Sequence, residues 1–315
     1  MKLLVVIVNF RTASLTLLGL EHLLRDMEGL DVAVTVVDND SGDGSFETLR
    51  EQVTERGWWD RVEVIASGKN GGFGFGNNVA IRKALAQSEP PEYVFLHNPD
   101  ARVRPGALRA MLEFLDAHPE VGVAGTQIHE PGMGVHTSAF RFPSVFSEIE
   151  GALRFGPVSR LLRKYSVWAD APTQTAEVDW VSGASVFFRR EVFETVGLFD
   201  ENFFLYFEEV DLCRRAREAG WSIYYVHEAV VEHEEGAATG IKSKKKRVPE
   251  FWLDSRRYYF LKAKGSRGLW AANVAWAASH SLWRLRRAAQ RLPDDDPPRR
   301  LEDFVRHSLG LPRRP

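Results

Sequence analysis

Three short acidic stretches of this chain have residue types and spacing suited to chemistry: Val36-Val37-Asp38-Asn39-Asp40-Ser41, Asn98-Pro99-Asp100 and Phe207-Glu208-Glu209-Val210-Asp211-Leu212. Each puts carboxylates where an apolar strand should end or a helix begin. In the first, an oxygen of Asp38 or Asp40 could accept the N3–H of a uracil or thymine, although Asp40, Ser41, Asp43 and Ser45 serve equally as helix caps or Asx turns. In the second, Pro99 fixes a tight bend around Asn98 and Asp100, and a hard divalent cation already held by a diphosphate needs only one or two protein oxygens. His233, in Val231-Glu232-His233-Glu234-Glu235-Gly236, lies just beyond another apolar run and could add a ligand. In the third, Glu208, Glu209 and Asp211 open a helix, where the macrodipole stabilises negative charge by roughly 0.3–1 kcal/mol each. Three carboxylates behind Phe203-Phe204-Leu205-Tyr206-Phe207 exceed what a cap requires. An apolar surround would raise one of them toward the range of a general base. Helical spacing groups Glu208, Asp211 and Arg215 on one face and turns Glu209 about 100° from Glu208.

Two further stretches accompany them. Asn70-Gly71-Gly72-Phe73-Gly74-Phe75-Gly76-Asn77-Asn78 follows a strand and opens a helix, so its backbone N–H groups could face an anion or a sugar edge, or simply make a turn. It lacks the placement of a dinucleotide fingerprint, because the first strand is followed by Asn9-Phe10-Arg11 instead. Trp180-Val181-Ser182-Gly183-Ala184 joins an aromatic ring to small residues, as a sugar acceptor site or an ordinary core would.

The elements that must position these groups are legible in the pattern. Strands are expected at Leu3–Val8, Ala33–Val37, Val62–Ala66 and Tyr93–Leu96, alternating with helices at Thr12–Met27, Phe46–Arg56, Gly76–Ala86 and Gly106–Ala117. Such βα alternation implies a mostly parallel sheet covered by helices, with ligands at the carboxyl ends of its strands. Asn9, Asp38, Asn70 and Asp100 sit at or just after those ends. Beyond residue 125 the pattern loosens until about Thr175, then resumes as strand Val178–Phe188, helices Glu191–Val196 and Glu208–Ala219, and strand Ser222–Val226. Helices Phe251–Lys264 and Leu269–Leu292 follow, and Pro293 onward reads as a linker-like tail.

The chain has 315 residues, 44% apolar and 27% charged, with a formal charge of -2, so it carries no overall footprint for nucleic acid. Its last quarter is basic, including Lys242-Ser243-Lys244-Lys245-Lys246-Arg247, which suits phosphate or an anionic membrane surface. The lone Cys213 excludes an intramolecular disulfide and fits the cytoplasm. Met1 to Val8 is too short an apolar run for a signal peptide, and Leu269 to Trp283 falls short of the roughly 20 residues that span a bilayer.

Taken in order, Val8-Asn9-Phe10, Val37-Asp38-Asn39-Asp40-Ser41, Asn70-Gly71-Gly72-Phe73, Gly76-Asn77-Asn78, Leu96-His97-Asn98-Pro99-Asp100, Trp180 to Ala184, Gly197 to Glu201 and Phe207 to Leu212 resemble the family 2 inverting glycosyltransferases of the GT-A fold. The likeness is to the bacterial rhamnosyltransferase-like branch and covers residues 3 to 264. It implies a Rossmann-like α/β GT-A domain over residues 1–240, with a nucleotide-sugar half to about 125 and an acceptor half from 126. A basic loop and amphipathic helical region over 241–292 and the tail over 293–315 would complete the chain.

The resemblance further implies that Asp38 recognises a pyrimidine base, with Asn9, Asp40, Asn70, Gly71, Asn77, Asn78 and Asn98 around the donor. Asp100 and His233 would hold Mg2+ or Mn2+ on the diphosphate, with Asn98 standing where the family's metal motif more often has Asp. Trp180, Gly183 and Glu208 would meet the acceptor, Glu209 would be the base and Asp211 the second choice for it. The implied activity moves a sugar, rhamnose from dTDP-rhamnose in this branch, from a dTDP- or UDP-sugar to a saccharide or lipid-linked acceptor in cell-surface polysaccharide synthesis. The enzyme would work in the cytoplasm or peripherally at the inner face of the membrane, as a monomer or a homo-oligomer. Alternatives from other classes are a sugar-nucleotide nucleotidyltransferase, which usually has an Arg-containing Gly-rich loop after its first strand, and a non-catalytic sugar-nucleotide-binding scaffold, which needs no base.

Overall fold

Runs of β-branched and apolar residues make the central strands, because a strand covered on both faces needs no polar alternation. In the computed structural model, which describes residues 1–168, 170–233 and 246–314, β1 (Leu3–Asn9) lies between β2 (Val32–Asp38) and β4 (Tyr93–His97), with β3 (Val62–Ala66) outside β2. These four strands are parallel. Helices α1 (Ala13–Asp26), α2 (Ser45–Glu55) and α3 (Phe73–Leu85) connect them. The sheet continues through β11 (Ser185–Arg189), β6 (Val121–Glu130), β12 (Ser222–His233) and the short β5 (Ala101–Val103), with helix α4 (Ala107–Ala117) between β5 and β6. Because β11 and β5 run antiparallel to their neighbours, the sheet is mixed but mostly parallel. Short strands β7 (Gly134–His136) and β9 (Ala176–Glu177) add to β6 and β12, and β8 (Ala139–Phe140) pairs with β10 (Trp180–Val181).

The chain moves outward from β1 to β2 and β3, then returns to the other side of β1 as β4. That reversal opens a crevice at the carboxyl ends of β1 and β4, where Asn9 and His97 are the last strand residues. Beneath it, Leu3, Val5, Ile7, Val34, Val36, Phe95 and Phe187 are essentially inaccessible, and the rings of Phe95 and Phe187 stack at 4.0 Å. Each such side chain stabilises the fold by about 1.5–3 kcal/mol through burial.

The described residues form two units. The first contains the sheet, α1 to α4, α7 (Arg190–Val196) and α8 (Glu208–Glu218). The second contains residues 141–168, 205–207 and 246–314, with helices α5 (Val145–Leu153), α6 (Gly156–Leu162), α9 (Glu250–Gln290) and α10 (Arg300–Ser308). Its core joins Ala152, Leu253, Trp276 and Phe304.

Several expectations change. The strand expected over Val178–Phe188 is broken into β10 and β11, because Ser182 to Ala184 make a turn. The loose region holds α5 and α6, and the tail after Pro293 holds α10, whose Asp303 and Phe304 are buried. Strand β12 extends to His233, so that residue ends a strand instead of following one. The two expected C-terminal helices run on into one another through a kink at Gly265 (φ 67°). Of the basic run Lys242–Arg247, only Lys246 and Arg247 lie within the described residues.

Candidate active site

The register of β1 and β2 sets Asn9 opposite Asp38. Asn9 Nδ2 donates to Asp38 Oδ1 at 2.7 Å and to Ser41 Oγ at 3.3 Å, while its Oδ1 accepts from Thr12 and Thr16 hydroxyls at 3.1 and 3.0 Å. Every donor and acceptor position of the Asn9 amide is therefore used within the protein. Through these bonds Asn9 holds Asp38 in place. Asp38 also accepts from Ser41 Oγ at 2.6 Å and from Ser41 N at 3.1 Å on Oδ2. One Oδ2 lone pair stays available for a base N–H. Asp40 is exposed in the left-handed region (φ 60°), inside the turn that Asp38 caps.

Asn39, buried next to Asp38, bridges to the Gly-rich stretch by donating to Asn70 Oδ1 at 3.1 Å and Gly72 O at 3.0 Å. Gly72 has φ 88°, and a Cβ there would lie 1.7 Å from Phe204 O, so only glycine fits. Phe73 N donates to the same carbonyl at 3.1 Å. Gly71 is needed for another reason, since a Cβ would lie 2.3 Å from the Phe75 ring. Asn77 turns its Nδ2 to Phe73 O at 2.9 Å. Asn78 fastens the Gly197–Glu201 stretch against α3: Nδ2 donates to Phe199 O and Glu201 Oε1 at 2.9 and 2.8 Å, and Oδ1 accepts from Phe199 N at 3.1 Å.

Across the switch point, Asn98 N donates to Ala184 O at 2.9 Å, tying the Asn98-Pro99-Asp100 bend to the turn before β11. His97 is buried, which pushes it down to about 4, so it is neutral and donates through Nε2 to Ala101 O at 3.0 Å, closing the bend. Antiparallel pairing of β5 with β12 sets His233 opposite Ala101. His233 Nε2 lies 3.1 Å from Asp100 Oδ1 and 3.3 Å from Asn98 Nδ2. Residues 133 apart in sequence thus converge through a single strand pairing. Among the described residues no three His, Cys, Asp or Glu are grouped so as to hold a metal ion, and those residues offer a cation Asp100 and His233 here.

Helix α8 begins directly after two aromatic residues in the left-handed region, Tyr206 (φ 69°) and Phe207 (φ 71°). Such backbone costs of order 1–3 kcal/mol per residue and persists where surroundings over-determine it. Glu208 is buried, and Glu209 keeps partial exposure although its Oε2 is inaccessible. Neither Glu208 Oε2 nor Glu209 Oε2 has a hydrogen-bond partner among the described residues. Burial pushes Glu209 up to about 7, and burial with the adjacent Glu209 charge holds Glu208 well above the usual carboxylate range. Asp211 differs: fully buried, it receives Arg214 at 3.0 Å and Arg215 at 2.8 Å. Arg215 in turn donates to Leu198 O at 2.8 Å. With both oxygens on guanidinium groups, Asp211 anchors α8.

Hydrogen bonds, covalent neighbours and close approaches link these groups within the first unit. Asn39, next to Asp38, donates to Gly72 O, and Gly72 is followed by Phe73. A Cβ on Gly183 would meet Phe73 at 3.4 Å and Glu209 Cβ at 3.6 Å. Next to Gly183, Ala184 holds Asn98, beside Asp100 and His233. Trp180 covers one face of its ring by stacking on Phe140 at 4.3 Å. Asn39, whose buried Oδ1 has no partner among the described residues, and Ser41 stand directly behind Asp38 at the strand end, and sequence reasoning gave neither a separate role.

Residues 2–247 match the family model described as "Glycosyltransferase like family 2". The N-acetylglucosaminyl-diphospho-decaprenol L-rhamnosyltransferase of Mycobacterium tuberculosis is 31% identical over 285 residues, covering 83% of this chain and 86% of that protein. Rhamnosyltransferase WbbL of Escherichia coli is 23% identical over 66% of this chain and 75% of its own length. Among solved structures, the mannosyltransferase PcManGT from Pyrobaculum calidifontis, in complex with GDP-Man and Mn2+, superposes with a TM-score of 0.58 at 16% identity, covering 98% of this chain and 79% of that one. The α/β architecture is that of the GT-A glycosyltransferases, and this chain belongs to glycosyltransferase family 2.

Proposed function

We propose that this glycosyltransferase takes a sugar from a pyrimidine nucleoside diphosphate, dTDP-rhamnose by its likeness to the rhamnosyltransferases, and transfers it with inversion to a hydroxyl of a saccharide carried on lipid. The observation that carries the reading is Glu209 Oε2, buried and unpartnered among the described residues, in the same run of contacts as the Asn98, Asp100 and His233 cluster. A carboxylate whose proton affinity is raised toward neutrality can take a proton from an alcohol. Asp211, by contrast, has both oxygens on guanidinium groups.

Asp38, through its remaining Oδ2 lone pair, would accept the base N3–H, held rigid by Asn9 and Ser41. The Asp100 and His233 side chains suit Mg2+ or Mn2+. Asp100 Oδ1 and His233 Nε2, 3.1 Å apart, would hold such a cation, with the Asn98 amide beside them. When bound, it would supply positive charge against the leaving diphosphate. Glu209 removes the acceptor proton as that oxygen attacks the anomeric carbon opposite the diphosphate, and Gly183 leaves room for the incoming sugar beside it.

Ligands that bind only the folded state raise its melting temperature with affinity and concentration. In a thermal-shift comparison of dTDP-, UDP- and GDP-sugars, the largest shift is expected with dTDP-rhamnose. Mn2+ should enlarge the shift, and Asp100→Ala should remove the Mn2+ increment. An absence of shift with every sugar nucleotide would leave the donor assignment without support.

A further inference from the structure

Helix α9 is apolar on two opposite sides beyond Gly265. On a helical wheel, Ala272, Trp276, Ser279, His280 and Trp283 fall within about 100° of arc, and all are buried. Trp270, Val274, Ala278, Leu282, Leu285 and Ala289 fall within about 120° on the other side. Four of them are 69%, 47%, 57% and 68% exposed: Trp270, Val274, Leu282 and Leu285. A soluble helix ordinarily presents polar residues on its outer side. Here the exposed stripe runs about 22 Å from Trp270 to Leu285 at 1.5 Å per residue.

Charge identifies what covers it. From Gly268 to Trp283 the sequence holds no Asp, Glu, Lys or Arg, and no acidic residue stands on α9 after Asp254. The stripe is flanked by Lys262, Lys264 and Arg267 at one end and by Arg284 at the other, all exposed. A second copy packed on this stripe, parallel or antiparallel, would set cations against cations. An anionic bilayer surface meets cations at both ends, takes Trp270 at the headgroup level and accepts Leu282 and Leu285 beneath it. Among the described residues no helix is long and apolar enough to cross a membrane, so the fitting geometry is a helix lying along the surface.

We infer that the exposed stripe of α9 from Trp270 to Leu285, with its flanking cations, is an interfacial element that seats the protein on anionic lipid. The inference deepens the reading of a lipid-carried acceptor but draws only on this helix, and binding is measured without turnover. The full-length chain should co-sediment with vesicles of phosphatidylcholine mixed with phosphatidylglycerol, and less with phosphatidylcholine alone. Added salt should weaken the association. The paired change Leu282→Glu and Leu285→Glu should cut vesicle partitioning by at least about tenfold, since it puts charge where acyl chains would lie. Helical circular dichroism and the donor-induced thermal shift should be unchanged, which separates this test from that of the donor site. Trp270→Ser is the milder variant should the pair disturb folding, and it too should reduce partitioning. Failure of the wild type to sediment with the anionic vesicles, undiminished binding by the variants, or a concentration-dependent dimer abolished by the same changes would each overturn the inference.

Discussion

At the residue scale, what sets Glu209 apart is the pairing state of its neighbours. Asp211 has two guanidinium partners, and Asp38 has an amide, a hydroxyl and a backbone N–H. Glu209 Oε2 has none among the described residues and sits with Glu208 in a buried patch that favours the neutral form. A base must be ionised to act, so turnover should fall as pH drops through about 7, the value to which burial raises Glu209. Glu209→Gln should lower kcat by about 10²–10⁴-fold while leaving the donor-induced thermal shift intact. Stability should respond in the opposite sense. A carboxyl whose folded-state proton affinity is raised binds more protons folded than unfolded, so stability declines as pH rises from the ordinary carboxylate range to about 7. The glutamine variant escapes that loss and should melt above wild type at pH 8, with the gap narrowing at pH 5. Wild-type turnover in the variant would refute the base assignment.

At the element scale, the first four strands were readable because apolar runs bounded by turn residues have few other solutions, and the acidic motifs fell at their ends as expected. Strand β6 was not readable. Its Gly122 and Gly125 look like breakers, yet a Cβ on Gly125 would lie 2.5 Å from Val181 Cβ, so that glycine marks close packing. That His233 would meet Asp100 was implied by the family resemblance alone, since the convergence depends on β5 pairing with β12 and no local pattern encodes a pairing. The internal bonds of the Asn9 and Asn78 amides were hidden for a related reason: their partners come from distant segments that only the fold brings near. Two glycines now separate support from reaction space. Gly72→Ala has no room against Phe204 O and needs a left-handed backbone, so it should destabilise the fold by about 2–4 kcal/mol and abolish activity with it. Gly183→Ala meets Phe73 and Glu209 only at ordinary contact distance, so its melting temperature should stay near wild type while KM for the acceptor rises. A Gly183→Ala variant with unchanged acceptor kinetics would show that the acceptor does not pass beside Glu209.

At the scale of the whole molecule, a formal charge of -2 conceals a strong division. In the described part of the sheet unit, acidic residues outnumber basic ones by nearly two to one, whereas in the helical unit basic residues outnumber acidic ones by more than two to one. The basic last quarter was already legible in the sequence, and the fold adds residues 141–168, whose charged residues are mostly basic, to the same unit. The two proposed ligands are both anionic and should answer to salt with opposite sign. A sugar nucleotide approaching the acidic unit is repelled at long range, and raising ionic strength toward 0.15 M, where the screening length is about 8 Å, should relieve that repulsion and lower donor KM by a few fold at saturating Mn2+. The same salt weakens attraction between the basic unit and anionic lipid, so vesicle binding should fall over that range. Parallel titrations of donor KM and vesicle partitioning with NaCl check both at once. Two curves falling together in affinity would mean that local cations, rather than the charge of the sheet unit as a whole, govern donor approach.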